Sequence, residues 1–360
     1  MAYTTIDDPS AYFQTVLWTG DGSAGNAITF DGNSDMQPDF VWSKNRDNTT
    51  SNILKDTSRG GTSSNDLYLL SDSNSNEGDY SVYRMDFDSD GFTLDGAGDT
   101  GFQGSGTNMV SWCWKADGGT TSTDTSGDID STIQVNTTAG ISIVLYEGNG
   151  VDGATVPHGL GVAPAVVHFK ARDPASARAW NTIAPALWGD GYWTNMFDGD
   201  EAVSDSSLSN WTTNSSNIVL GDGTGHNIDG TDYVAYCFTD IQGYSKFGEY
   251  KGNNDDDGPF VYTGFKPAYL LVTRTNTGGY SIFICDNTRS EYNPIGKFIK
   301  TDTTAAESTD SDGVISFLSN GFKCIKAGTA TGHNSAGTFF YMAFAEQPFV
   351  SSGGVPATAR

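Results

Sequence analysis

One pattern recurs three times along this chain, and self-similarity at such spacing is the signature of several copies of one folding unit. Each copy opens on an aromatic residue and a Gly- or Asn-rich turn: Trp18-Thr-Gly20-Asp-Gly22, Tyr146-Glu-Gly148-Asn-Gly150 and Tyr250-Lys-Gly252-Asn-Asn254. A proline follows 20, 18 and 17 residues later, at Pro38, Pro164 and Pro267. Proline cannot donate to a strand ladder but is tolerated at a strand's first residue. The apolar runs directly behind it, Asp39 to Lys44, Ala165 to Lys170 and Ala268 to Arg274, therefore read as strands. In the first and third copies a basic residue follows 15 positions on, in Asp56-Thr-Ser-Arg59 and Asp286-Asn-Thr-Arg289, whereas the second copy has diverged there.

Near its end each copy repeats a turn and a strand, Ser89 to Leu94, Ser216 to Leu220 and Ser319 to Ile325, and two of the turns carry the Asp-Gly or Asn-Gly that tight turns favour. Each copy then closes on a near-continuous apolar run: Val110 to Trp114, Tyr233 to Phe238 and Phe339 to Ala345. Trp112, Tyr236 and Phe344 lie 94, 90 and 94 residues beyond the opening aromatics. A strand apolar on both faces is buried on both, which places these runs at the centre of each core. The expected fold is all-β, with three tandem β-sandwich-like domains from an internal triplication. Their spans are 1–118, 139–243 and 244–350, with a C-terminal tail at 351–360. The stretch 119–138, rich in Gly, Thr, Ser and Asp, reads as a linker or extended arm.

Composition removes several function classes. The formal charge is -25, from 44 acidic and 19 basic residues, so nucleic acid would be repelled. No apolar run reaches the roughly 18 residues that cross a bilayer, and Met1 to Gln14 has neither a charged n-region nor an apolar h-region. Neither insertion nor conventional secretion is expected. Four cysteines, Cys113, Cys237, Cys285 and Cys324, do not make a disulfide framework in a chain this long, which fits assembly in a reducing cytoplasm.

The run from Tyr233 to Tyr250, the segment from Gly258 to Pro267 and the ending Tyr341 to Phe349 resemble a family of marine tailed-phage virion structural proteins, most strongly from about residue 140 onward. Members are described as tail-fibre-like or as structural proteins with repeated β domains. The resemblance implies a particle component on the virion surface, assembled in the host cytoplasm, without known catalytic residues. A trimeric fibre shaft needs heptads or short β-repeats, and none is present. A tail fibre, spike or adaptor component is the first expectation, with a capsid-decorating protein and a glycan-degrading tail spike as alternatives. Partners would be other virion proteins and host-surface glycan, and the symmetry of particles suggests a homotrimer.

Candidate sites fall mostly to structural roles. Asp86, Asp88, Asp90 and Gly91 open like a calcium loop, but the position that needs a bidentate Glu holds Ala97. The acidic run Asn253 to Gly258 reads as a charged hairpin tip. Thr-Gly-His-Asn occurs at Thr224 to Asn227 and again at Thr331 to Asn334, which suggests a shared loop geometry rather than metal ligation. No nucleophile elbow, zinc-protease motif, phosphate loop or dinucleotide fingerprint occurs, so neither catalysis nor a metal or other cofactor is expected. Aromatics crowd the second copy. Because Trp and Tyr stack on sugar rings and anchor interfaces, Trp188, Tyr192, Trp193 and Trp211 are the candidate recognition residues.

Overall fold

The fold is known from a computed structural model that describes residues 2–60, 67–96, 98, 101–173, 175, 177–195, 203–204, 210–276, 281–327 and 332–357. Each of the three units pairs a six-stranded antiparallel sheet with a three-stranded one. In the first unit the large sheet runs Phe13–Thr19, Asn108–Trp114, Phe40–Asn45, Ile53–Asp56, Leu67–Leu70, Gly78–Asp79. The third unit repeats that order with Ser245–Gly252, Gly337–Pro348, Phe265–Arg274, Phe283–Asp286, Lys297–Lys300 and Ser308–Thr309. The opening strand, the closing strand and the strand behind the proline are thus adjacent in each unit, although the first and last lie far apart in sequence.

Strand alternation explains why the closing strands are apolar on both faces. From Asn108–Trp114, Met109 and Cys113 enter the unit's own core, beside Phe92 of the small sheet. Val110, Trp112 and Trp114 point the other way, into a core shared by all three units. The second unit divides Tyr233, Ala235 and Cys237 from Val234, Tyr236 and Phe238, and the third divides Phe339, Tyr341 and Ala343 from Phe340, Met342 and Phe344. The cross-strand register makes Trp114, Phe238 and Phe344 equivalent, since each closes against the strand behind its proline at Phe40, Val166 and Tyr269. These three rings touch one another, with centroids 6.3, 5.5 and 6.0 Å apart. They mark a pseudo-threefold axis through the middle of one chain.

The same register corrects one detail of the sequence alignment. Met342, not Phe344, is the counterpart of Trp112 and Tyr236, because the opening aromatics Trp18, Tyr146 and Tyr250 pair with Met109, Tyr233 and Phe339, three residues before each. Glycine is required at one recurring place. At Gly91 and Gly321 a Cβ would lie 2.0 Å from a backbone carbonyl oxygen, of Ile28 and Val261 respectively, as each small sheet closes on its edge strand.

Buried polar groups stitch the units together around the axis. Asp56, in the first unit, bonds Arg59 at 2.5 Å and accepts from the Tyr236 hydroxyl of the second at 2.6 Å. Arg59 continues to Glu77, which pairs with Arg172 of the second unit. The third unit offers the first an image of this: Asp286 bonds Arg289 and accepts from the Trp112 indole at 3.0 Å, and Glu307 links Arg289 to Arg46. Where the second unit meets the third, Ala184 and Leu187 stand in place of the acid and base and pack in the central core that also holds Met342. The divergence seen in sequence is therefore a change from an ionic to an apolar interface.

The stretch expected to be a linker folds differently. Ser122–Asp124 and Ser131–Asn136 are strands that extend the second unit's sheet beyond its opening strand, in the order Ser122–Asp124, Ser131–Asn136, Ile141–Glu147, Asp232–Phe238, Val166–Ala171, Asn181–Ile183. Few apolar side chains were needed because main-chain groups make the ladder, with Ile133 turned into the second unit's own core and Gln134 toward the first unit. Gln134 donates to Asp39 and accepts from Thr57 and Ser58 of the first unit.

Candidate functional site

The recognition aromatics of the second unit do not act together. Trp188, on the short helix Pro185–Trp188, donates its indole N–H to Glu249 at 3.0 Å and packs edge-on to Phe340, so it joins the second unit to the third. Trp180 serves the opposite side, donating to the Leu70 carbonyl of the first unit. Trp211 and Trp193 do converge. Their rings are 6.3 Å apart, at the floor and wall of an open pocket of about 370 Å³. Tyr192 is 40% exposed on the short strand beside Trp193 and is not part of the lining.

The rest of the pocket comes from Asn195 and from two segments outside the candidate recognition residues. One is Arg178 to Asn181, leading into the strand Asn181–Ile183. The other is Asp222 to His226, which carries the first Thr-Gly-His-Asn. The His226 ring stacks on Trp211 at 3.6 Å, and burial pushes its pKa down to about 3, so it stays neutral. The Asn181 amide donates to Asn195 across the mouth at 2.9 Å. The indole N–H groups of Trp193 and Trp211 have no partner among the described residues. An aromatic wall beside amides, a carboxylate at Asp222 and a guanidinium at Arg178 is a lining suited to a polyhydroxylated ligand, whose ring faces stack and whose hydroxyls bond. The signal for Asn181, Asn195 and Asp222 was absent from sequence, because the pocket joins residues far apart along the chain.

The second Thr-Gly-His-Asn keeps only the structural half of this arrangement. His333 bonds the Val314 carbonyl at 2.8 Å, its own carbonyl accepts from Tyr250, and Asn334 holds the Asn253 turn. His226 and Asn227 make the matching bonds to Tyr146 and to Asn149. The shared loop geometry is thus a real feature of both units, and the third lacks the tryptophans that would turn it into a pocket.

The acidic candidates bind their own chain. Asp88 accepts from Thr93 and Asp90 from the Met36 amide, while Asp86 lies near Arg84 and Ala97 falls outside the described residues. Asp255 accepts from the Asp257 amide and Asp257 pairs with Lys323 on the strand Gly321–Cys324, so the run expected to tip a hairpin instead joins two sheets, its flanking strands Ser245–Gly252 and Phe260–Tyr262 pairing with different partners. Among the described residues no three His, Cys, Asp or Glu side chains converge as metal ligands. All four cysteines are free and buried, and burial pushes their thiols above the usual range.

Residues 8–348 match the family described as Domain of unknown function (DUF7483). The chain belongs to that family. The match covers all three units, so the family's domain is the whole pseudo-threefold assembly rather than one repeat. No curated protein and no solved structure matches the chain. No helix among the described residues is long and apolar enough to cross a membrane.

Proposed function

We propose that the chain is a non-enzymatic structural protein on the surface of a tailed-phage particle, acting as a tail fibre, spike or adaptor component. The observation that carries this reading is the triangle of Trp114, Phe238 and Phe344. One polypeptide holds three related modules rigidly about an axis and turns their loops outward, which suits display and docking. Its buried charges are spent on joining modules. The pocket at Trp193 and Trp211 gives such a component a place to contact host-surface glycan. The internal axis supplies within one chain the threefold expected of a homotrimer, so the single chain is the proposed unit. Light scattering at three times the 38.3 kDa chain mass would instead support the homotrimer.

Quantitative mass spectrometry of purified particles tests the placement. A few to a few tens of copies per particle, counted against the other particle proteins, supports the tail. Hundreds would move the chain to the head as a decorating protein, and its absence from particles would end the reading. Release of reducing sugar from host polysaccharide, abolished by a carboxylate substitution, would make it a glycan-degrading spike.

A further inference from the structure

The three interfaces around the axis also differ beside the opening strands. In the second unit, Ser131–Asn136 lies along the opening strand Ile141–Glu147, with Gln134 opposite Ile143 and bonded to Asp39, Thr57 and Ser58 of the first unit. Rotation about the axis carries Ile143 onto Thr15, and Asp39, Thr57 and Ser58 onto Ala268, Asn287 and Thr288. These are the residues that face each other across an open cleft of about 420 Å³ between the first and third units. There the opening strand Phe13–Thr19 is the edge of its sheet, and the Thr15 hydroxyl has no partner among the described residues.

We infer that this cleft is a docking slot in which an extended segment of another protein adds as a strand beside Phe13–Thr19. An unpaired sheet edge is a template for strand addition, where main-chain bonds supply affinity and side-chain pockets supply selectivity. The chain's own strand in the equivalent place shows the geometry the slot accepts. Charge selects the occupant: Asp8, Asp31 and Glu291 line the cleft beside Glu346, which Lys266 already pairs at 2.9 Å, so the lining keeps an excess of negative charge in a chain of net charge -25. A lysine- or arginine-bearing strand on a partner is complementary to it. The third equivalent position differs again, since the helix carrying Trp188 leans on the opening strand Ser245–Gly252 through Glu249.

The probe is a fluorescein-labelled peptide with the sequence of Ser131–Asn136 between two lysines, added to the full chain. The expected result is saturable binding, with hydrogen exchange at Gln14 to Leu17 slowed about tenfold at saturation. Charge reversal at the exposed pair Asp31→Lys and Glu291→Lys should weaken binding about fivefold with the fold intact by circular dichroism. A peptide with proline replacing its central glutamine should not bind. Equal binding by the proline peptide, protection appearing at Ser131 to Asn136 instead, or no saturable binding overturns the inference. Concentration-dependent dimers that protect Gln14 to Leu17 without peptide would replace the partner by a second copy of this chain. These readouts use purified protein and are independent of where the chain sits on a particle.

Discussion

Replacing Arg59 tests whether the interface networks carry the assembly. Its side chain is 1% exposed and that of Asp56 is fully buried, so Arg59→Leu leaves an unneutralised carboxylate between the first and second units. Breaking a buried pair from one side costs about 3–5 kcal/mol. With a urea m value of about 3 kcal/mol/M for a chain of this size, the unfolding midpoint should fall by about 1–1.7 M. The chain also contains the remedy. At the equivalent interface it uses Ala184, Leu187 and Met342, so Asp56→Ala combined with Arg59→Leu removes the orphaned Asp56 charge, leaves Glu77 with Arg172 as its remaining ion-pair partner, and leaves the Tyr236 hydroxyl without its acceptor, the last worth about 1–3 kcal/mol. Adding Tyr236→Met completes the apolar version and should recover part of the loss, limited by the stacking of Tyr236 on Phe40 at 4.4 Å. Urea unfolding followed by tryptophan fluorescence reads all three variants. A loss under about 1 kcal/mol for Arg59→Leu, or a triple variant less stable than the single one, would refute the role assigned to the pair.

Burial holds His168 down to about 3, against an ordinary value of 6.5. Its neutral form therefore favours the fold above pH 6.5, and that contribution is lost as pH falls toward 3. His168→Leu, copying the equivalent Leu271, should gain about 2 kcal/mol on the native chain between pH 7 and pH 5, and parallel denaturation curves would count against it. Asp302 runs the opposite way, because burial raises its pKa to about 6. Its contribution is full below the unfolded value near 3.8 and is lost as pH rises through 6, so Asp302→Asn should stabilise by about 3 kcal/mol at pH 7 and by almost nothing at pH 3.5. Trp193→Ala should abolish glycan-array binding without moving the melting temperature by more than about 2 °C, whereas Trp188→Ala should lower that temperature and spare binding. The four thiols should react with a water-soluble disulfide reagent only after unfolding, and labelling of native protein would contradict their burial.

The repeated prolines, opening aromatics and closing strands were legible because each reports a local constraint: a missing donor, a tight turn, a two-sided apolar run. Pro38, Pro164 and Pro267 do stand in register, two positions before the residues that meet Trp114, Phe238 and Phe344. The polar stretch 119–138 was misread for a physical reason. Strand pairing is satisfied by backbone groups that every residue carries, so Ser131–Asn136 needed no apolar signature to join a sheet. The pocket wall at Trp193 and Trp211 was singled out, but Trp188 was grouped with it by closeness in sequence, and the fold sends it to another interface.

The sequence by itself determined an all-β chain in three copies, since periodicity, turn chemistry and strand patterning act over a few residues. Only the tertiary structure decided that the copies close on one another instead of standing in a row. That outcome depends on which face of each closing strand meets its neighbours, and an apolar face looks the same in sequence whether it is covered by its own domain or by the next.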